Sequence, residues 1–371
     1  MKPIYLDNAA STPVDPNVLA KFIEIAETYY GNPSSMHSAG IEARKLIWES
    51  QDIIARKLNC NSEDIYFTTG ATMSNNLLIQ GVLRKQPETM FITSMVEHND
   101  IMELYDWLPY SKGFVNVNKN GIIDLSVLEN NMSFCKEWNK PILVSIQMAN
   151  SETGVIQPIK QISELVHAYG GYLHTDATQF IPYYPINMDE LEIDALSMSG
   201  QKIGGIKGSG LLVVRQEMRD IVSPIIFGEQ GLIGGTPSTP LIASLAEAFE
   251  LLDYDNSDIY NKTQLLINNI KNLGGIIIGD EEDRLPNNVF CRFPGIKGMT
   301  ILNLLNDRGI YIGTGSACST DSDKPSHVAL AYGLTEEEAF ECIRFTLGNT
   351  NSYSDVNIAM YELESILKML K

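Results

Sequence analysis

The sequence predicts an α/β protein in which a doubly wound, mostly parallel sheet is followed by a smaller α+β domain. Three observations carry this expectation. Short apolar runs alternate with helical patterns from Ile65 to Val214, as in βαβ units. Thr69-Gly70-Ala71-Thr72, Glu97-His98, Asn150-Ser151 and Asp176 fall just past predicted strand ends, where such sheets collect ligands. The 371 residues exceed what one small core serves, and beyond Asp253-Tyr254-Asp255-Asn256 the elements shorten.

Taken in order, Ile4-Tyr5-Leu6 reads as a strand entering the turn Asp7-Asn8-Ala9-Ala10-Ser11-Thr12-Pro13. Helical spacing follows over 16–29, stopped by Gly31-Asn32-Pro33-Ser34-Ser35, and over 41–58. Ile65-Tyr66-Phe67 is a strand, and the hydroxyl-rich turn 68–76 after it is a candidate phosphate cradle. Strands at 90–93 and 142–146, a helix at 159–169, a strand at 172–175 ending in Asp176 and a strand at 210–214 continue the alternation. A helix over 243–252 leads out, which places the large domain at 13–253 and the small one at 1–12 with 254–371. The small domain is read as a helix to about 273, strands at 276–278, 289–293 and 343–347, a helix at 301–305 and a closing amphipathic helix at 356–370.

Composition narrows the function classes. With 27 Lys+Arg against 46 Asp+Glu the formal charge is −19, which repels phosphate backbones and anionic membrane surfaces, so neither nucleic acid nor membrane is an expected partner. No apolar run is long enough to span a bilayer and the start of the chain lacks a signal-peptide core, so a cytoplasmic protein is expected. The 5 cysteines are scattered without a CxxC pair, which suggests neither a disulfide framework nor a metal site.

One lysine stands apart. Lys202 follows Ser199-Gly200-Gln201 and precedes Gly204-Gly205 and Gly208-Ser209-Gly210, so it is either a Schiff-base lysine beside a phosphate-holding loop or a solvated residue at a hairpin tip. Pyridoxal phosphate needs a lysine, a carboxylate for its ring nitrogen, a phosphate cup and a group on the ring face. Lys202, Asp176, the turn 68–76 and His98 supply one of each, although Asp176 equally suits a helix N-cap. Cys318 lies in the polar stretch from Gly313 to His327, whereas Cys291 and Cys342 have apolar neighbours; an exposed loop thiol is the one suited to act as a nucleophile. Arg344, inside an apolar strand, requires a carboxylate, either internal or from a substrate.

Together, Tyr5-Leu6-Asp7-Asn8-Ala9-Ala10-Ser11-Thr12-Pro13, Gly31-Asn32-Pro33-Ser34-Ser35, Thr69-Gly70-Ala71-Thr72, Glu97-His98, Glu152-Thr153-Gly154, Asp176-Ala177-Thr178-Gln179, Ser199-Gly200 with Lys202, Gly315-Ser316-Ala317-Cys318 and Arg344-Phe345-Thr346-Leu347-Gly348 resemble the cysteine desulfurases. These belong to the class V aminotransferase group of fold type I pyridoxal phosphate enzymes, and the loop after Cys318 is similar to that of the long-catalytic-loop group. The resemblance implies a seven-stranded-type large-domain sheet and conversion of L-cysteine to L-alanine, with sulfur passing to Cys318 as a persulfide for iron–sulfur cluster or other sulfur-transfer pathways. It implies that Lys202 carries the cofactor, Asp176 pairs with the pyridine nitrogen, His98 stacks on the ring and Gln179 bonds the 3′-oxygen. Ala71, Thr72, Ser199 and Gly200 would surround the phosphate, with Ser151 and Gln201 also at the cofactor. Thr236 would reach the phosphate of the second subunit in a homodimer, and Asn32 and Arg344 would bind the substrate. A sulfur-acceptor or scaffold protein would be the further partner.

Departures from the family pattern are specific: Gln201 replaces a histidine, Ser151 an asparagine, Met73 a glutamate, and Gln230 and Ile233 stand where arginines are usual. They leave two other readings open, a different lyase or aminotransferase on the same fold and a catalytically weak paralogue acting as an interaction or sulfur-carrying subunit. Cys318→Ser is expected to abolish sulfide release from cysteine while leaving the absorbance of the bound cofactor intact, checked by a sulfide assay beside a visible spectrum.

Overall fold

In the computed structural model, which describes residues 3–228, 231–315 and 324–370, the chain begins with a short strand β1 (Ile4–Tyr5). The main sheet contains β2 (Ile65–Thr68), β3 (Met90–Ser94), β4 (Lys112–Val115), β5 (Ile142–Ser145), β6 (Tyr172–Asp176), β7 (Ala195–Ser199) and β8 (Gly210–Val214). Its order is β2-β8-β7-β6-β5-β3-β4. Pairing is parallel from β4 across to β7, and β8 alone runs antiparallel to its neighbours β7 and β2.

Continuous Ile, Leu and Val runs form β5 and β8 because both sheet faces are covered. The strand period of two is visible in the cores: Ile92, Val144, Leu211 and Val213 join one apolar cluster. Their neighbours Phe91, Leu143, Leu212 and Val214 join another on the opposite face. A third cluster unites Ile4 and Leu6 with Ile267, Val289, Ile301, Phe345 and Leu363. Around it lie β9 (Ile276–Ile277), β10 (Asn288–Arg292), β11 (Ile310–Tyr311) and β12 (Cys342–Thr346). The last three-stranded sheet is antiparallel in the order β12-β10-β9, while β11 pairs in parallel with β1.

The N-terminal segment therefore begins among C-terminal elements. Asn8 Nδ2 donates to Thr346 O at 2.9 Å, and Ala9 N donates to Thr346 Oγ1 at 2.9 Å. The chain then crosses to the main sheet.

Several elements escape the sequence pattern. The helix Asn99–Trp107, β4, the helix Leu125–Glu137 and β7 were not predicted. β7 reads Ala-Leu-Ser-Met-Ser, without β-branched residues, and becomes a strand through pairing on both edges. The second helix begins at Ser38 rather than 41 because the His37 imidazole caps it, accepting from Gly40 N at 3.3 Å. None of the described helices is long and apolar enough to cross a membrane.

Phe249 is fully buried where the helix Thr239–Glu250 covers the sheet. Phe249→Ala is expected to cost about 3–5 kcal/mol, seen as a lower urea midpoint with an unchanged slope.

Candidate active site

Lys202 does lie in a hairpin connection, since β7 and β8 pair with Ser199 opposite Gly210. Its ammonium is nevertheless turned inward, donating to Ala9 O at 2.8 Å and Ala10 O at 2.6 Å. A single turn of 3-10 helix, Gly200–Lys202, sets this direction. The chain then returns so tightly that a Cβ on Gly205 would lie 2.6 Å from Gly200 O. Gln179 Nε2 reaches the same Ala9 carbonyl at 3.0 Å. Gln201 is anchored through its backbone carbonyl, which accepts from Thr12 N at 3.1 Å and Thr12 Oγ1 at 2.9 Å.

Next to the lysine turn, Gly70 at φ 149° introduces the helix Ala71–Lys85. Ala71 N donates to Ser199 Oγ at 2.8 Å. Side chains are excluded where these turns meet: a Cβ on Gly210 would sit 2.5 Å from Gly70 Cα, and one on Gly200 2.4 Å from Ser209 Oγ. A helix start with its partial positive charge, glycine backbone and a serine hydroxyl make a donor set suited to a phosphate dianion. Thr72 lies in the first turn of that helix. Thr236 is exposed, on a groove of about 410 Å³ shared with Thr69, Met73 and Gly210. Met73 and Ile233, neutral where the resemblance leads one to expect charge, pack on an apolar cluster; Gln230 lies outside the described residues.

Asp176 closes β6, the middle strand of the sheet, and is 8% exposed. Its Oδ1 accepts from Thr178 N at 2.9 Å and its Oδ2 from Asn75 Nδ2 at 3.0 Å. Turns rather than a helix follow, so the N-cap reading fails. Burial, with the Asp100 carboxylate next, raises the proton affinity of Asp176 against these hydrogen bonds. A buried carboxyl in that condition suits a protonated ring nitrogen.

Sequence reasoning missed Asn75 and Asp100. The second hydrogen-bond partner of Asn75 Nδ2 is Asp100 Oδ2 at 3.1 Å, and Asp100 Oδ1 lies 2.8 Å from His98 Nδ1. His98 caps the helix Asn99–Trp107 and keeps 42% of its side chain exposed. An Asn on one helix and an Asp in the first turn of another give no signal until tertiary packing buries them together.

Arg344, 2% exposed on β12, meets an internal acid: one guanidinium nitrogen lies 2.8 Å from Asp7 Oδ1 and another donates to Ser151 O at 3.0 Å. Among the described residues its buried Nε has no hydrogen-bond partner. Ser151 thus enters through its backbone. Glu152 is buried alongside, accepting from Ser326 Oγ at 2.6 Å; burial pushes its pKa up to about 7, against Ser326, Arg344 and His98. Glu97 accepts from Gln147 N at 3.0 and 3.1 Å, and burial pushes it up to about 8. Asn32 is exposed and its Oδ1 accepts from Ser34 N at 2.9 Å, a turn-forming use.

Cys318 lies outside the described residues. The four described cysteines are poor nucleophiles, because burial raises the thiol pKa of Cys135, Cys291 and Cys342 and takes that of Cys60 to about 12.

This geometry coincides with a match to the family model described as Aminotransferase class-V, which spans residues 4–358. The chain belongs to the class-V aminotransferase family. Members of this family use pyridoxal 5′-phosphate, and the donor set at Lys202, Asp176, Ala71 and Ser199 fits that group. This class-V aminotransferase is 36% identical over 380 residues to cysteine desulfurase IscS 1 of Archaeoglobus fulgidus, covering 99% of this chain and 97% of the relative. A solved NifS-like protein superposes with a TM-score of 0.90 at 31% identity, covering 99% of this chain and 100% of that one. A structure titled SspA in complex with cysteine gives a TM-score of 0.80 at 30% identity, covering 93% and 98%. The seven-stranded, mostly parallel sheet of this class-V aminotransferase is the fold type I architecture that the resemblance implied.

The pKa of Glu97 rises on folding from 4.5 to about 8, so the folded state holds a proton that the unfolded chain releases. Its stabilising contribution is complete below the lower value and is lost as pH climbs through the higher one. Glu97→Gln is expected to flatten this part of the stability curve, measured as urea midpoints at about pH 5 and about pH 8.5.

Proposed function

We propose that this class-V aminotransferase is a pyridoxal 5′-phosphate-dependent cysteine desulfurase that converts L-cysteine to L-alanine and receives the sulfur on Cys318 as a persulfide. One observation carries the reading: Lys202 and Arg344 converge on the same N-terminal segment, the first at Ala9 and Ala10, the second at Asp7. A lysine that can bind an aldehyde and an arginine that can bind a carboxylate are thereby placed for one amino-acid substrate. Relatives named cysteine desulfurase point to cysteine as that amino acid.

When bound, the cofactor supplies an electron sink that weakens bonds at the substrate's α-carbon. Lys202 would hold it through Nζ, Asp176 through the ring nitrogen and Gln179 through the 3′-oxygen. Ala71, Thr72, Ser199, Gly200 and Gln201 would surround the phosphate, with Ser151 nearby and Thr236 reaching a second subunit's site.

The chain's own residues perform the remaining work. Arg344 binds the substrate carboxylate, its Nε, which has no partner among the described residues, supplying a donor that Asp7 does not use. Asn32 contributes to the substrate side. His98 presents its half-open imidazole to the ring face and carries protons to and from the substrate. Cys318 attacks the substrate sulfur as a thiolate, so that an S–S bond forms while the C–S bond breaks. The carbon that loses sulfur takes up a proton, giving alanine, and one thiol plus cysteine becomes one persulfide plus alanine without an added oxidant.

In this reading the protein is a cytoplasmic homodimer, its subunits divided into 13–253 and 1–12 with 254–371. The persulfide sulfur passes to an acceptor or scaffold protein for iron–sulfur cluster assembly or another thiolation pathway.

Incubated with cysteine and a thiol reductant, the purified holoenzyme is expected to yield alanine and sulfide in equal amounts. Formation of a keto acid in their place would support the aminotransferase reading, and absence of a cofactor absorbance after addition of pyridoxal phosphate the non-catalytic one. Arg344→Gln is expected to raise KM for cysteine by roughly tenfold to a hundredfold, the loss of a charge-assisted hydrogen bond.

A further inference from the structure

Four side chains form a continuous polar relay that the reaction above leaves unexplained. His98 Nδ1 lies 2.8 Å from Asp100 Oδ1. Asp100 Oδ2 accepts from Asn75 Nδ2 at 3.1 Å, and the same nitrogen donates to Asp176 Oδ2 at 3.0 Å. The Asn75 amide thus gives both its hydrogens to carboxylates, one on either side of it in the relay. Its own Oδ1 is buried with no partner among the described residues, so the orientation of the amide is fixed by the two acceptors.

Asp100 has only 7% of its side chain exposed. Burial alone would raise its pKa, but the hydrogen bond and charge of His98, with hydrogen bonds from Asn75 and Thr72, hold it below the usual carboxylate range. It is therefore an ionised acceptor. Asp100 N also lies 3.4 Å from Nδ1 in the capping position, but the ionised carboxylate is far closer at 2.8 Å and places the proton on Nδ1, so that Nε2 is the nitrogen that exchanges protons. Helix geometry accounts for the placement: His98 is the N-cap, and Asp100, in the first turn, also accepts from Ile101 N at 2.8 Å with the same oxygen. The carboxylate is thus held by backbone and amide together.

We propose that Asp100 is a positioning residue that acts through His98: it fixes the Nδ1–H tautomer, aims Nε2 at the substrate and stabilises the imidazolium whenever His98 carries a proton. The inference rests on the role given to His98 under the proposed function. Other ionisable groups also face this imidazole. Glu152, from the turn after β5, and His327, at the start of the helix His327–Ala331, both interact with it electrostatically. The Glu97 carboxyl next to it in sequence is engaged by Gln147 N, and His327 Nε2 is bonded to Glu97 O at 2.9 Å. Among the described residues Asp100 is the carboxylate in direct contact with the ring, and Asp176 reaches the relay through Asn75.

The test uses the intact protein and three variants, Asp100→Asn, His98→Gln and the double variant. Nitrogen NMR of histidine-labelled protein without cofactor, with the His98 signal assigned by its loss in His98→Gln, is expected to show a protonated Nδ1. The His98 titration should move to lower pH in Asp100→Asn, because the neutral amide no longer favours the imidazolium. An unmoved titration would overturn the proposal. In holoenzyme assays Asp100→Asn should retain the cofactor absorbance and the KM for cysteine while kcat for alanine falls by about tenfold or more. Its pH–rate profile should shift in the same direction as the NMR titration.

In the His98→Gln background Asp100→Asn should produce no further loss, since its effect passes through the ring. An additional loss there would show that Asp100 acts elsewhere and would overturn the proposal. Loss of the cofactor absorbance in Asp100→Asn would do the same, because it would assign Asp100 to Asp176 rather than to His98. The underlying reading is tested separately: if His98→Gln alone leaves kcat unchanged, it is the proton-carrying role of His98 that fails.

Discussion

Asp176 sits at the end of the central strand with almost no access to water, and the cost of burying a carboxylate there, several kcal/mol if left uncompensated, constrains everything around it. Thr178 N and Asn75 Nδ2 offset part of that cost. The second acid, Asp100, adds to it, which is why the Asn75 amide stands between the two. A cationic ring nitrogen would remove the remaining penalty. The parallel sheet, the helix carrying Asn75 and the helix carrying Asp100 can thus be understood as the scaffold that delivers three groups to one strand end.

The cradle beside it works largely without charged side chains. Gly70, Gly200 and Gly210 let backbone approach backbone, and the helix that starts at Ala71 contributes its partial charge with a serine hydroxyl next to it. In a chain of net charge −19 this is a local concentration of positive potential made from peptide dipoles. Gln201 belongs to the same design, because Thr12 holds its main chain whatever its side chain carries.

Much of the sheet was legible because strands buried on both faces are nearly pure runs of Ile, Leu and Val, as in the parallel β5 and the antiparallel β8. β7 was hidden by its serines, and the helix Asn99–Trp107 by a polar face that pairs inward with the site. Lys202 and Asp176 could be picked out from residue type and position at strand ends. Of the reading of Lys202 as a solvated residue at a hairpin tip, the hairpin holds through the pairing of β7 with β8, while the carbonyls of Ala9 and Ala10 turn the ammonium inward rather than to solvent. What local sequence could not disclose were partnerships across long separations. Arg344 announced its need for a carboxylate, but Asp7 lies at the other end of the chain; Asn75 was one residue of the turn read over 68–76 until Asp100 and Asp176 closed on it.

The crossing made by residues 7–12 has a mechanical meaning. This strap is fastened to β12 through Asn8 and Ala9, to Arg344 through Asp7, and to the lysine turn through Ala9, Ala10 and Thr12. At no more than about 3.6 Å per residue its slack is small. Any movement of the C-terminal elements away from the main sheet must either pull carbonyl oxygens off the lysine or pull the aspartate off the arginine. Breathing of the molecule and solvation of its reactive amine are therefore a single degree of freedom, and clipping the chain within this strap would separate them without removing one catalytic side chain.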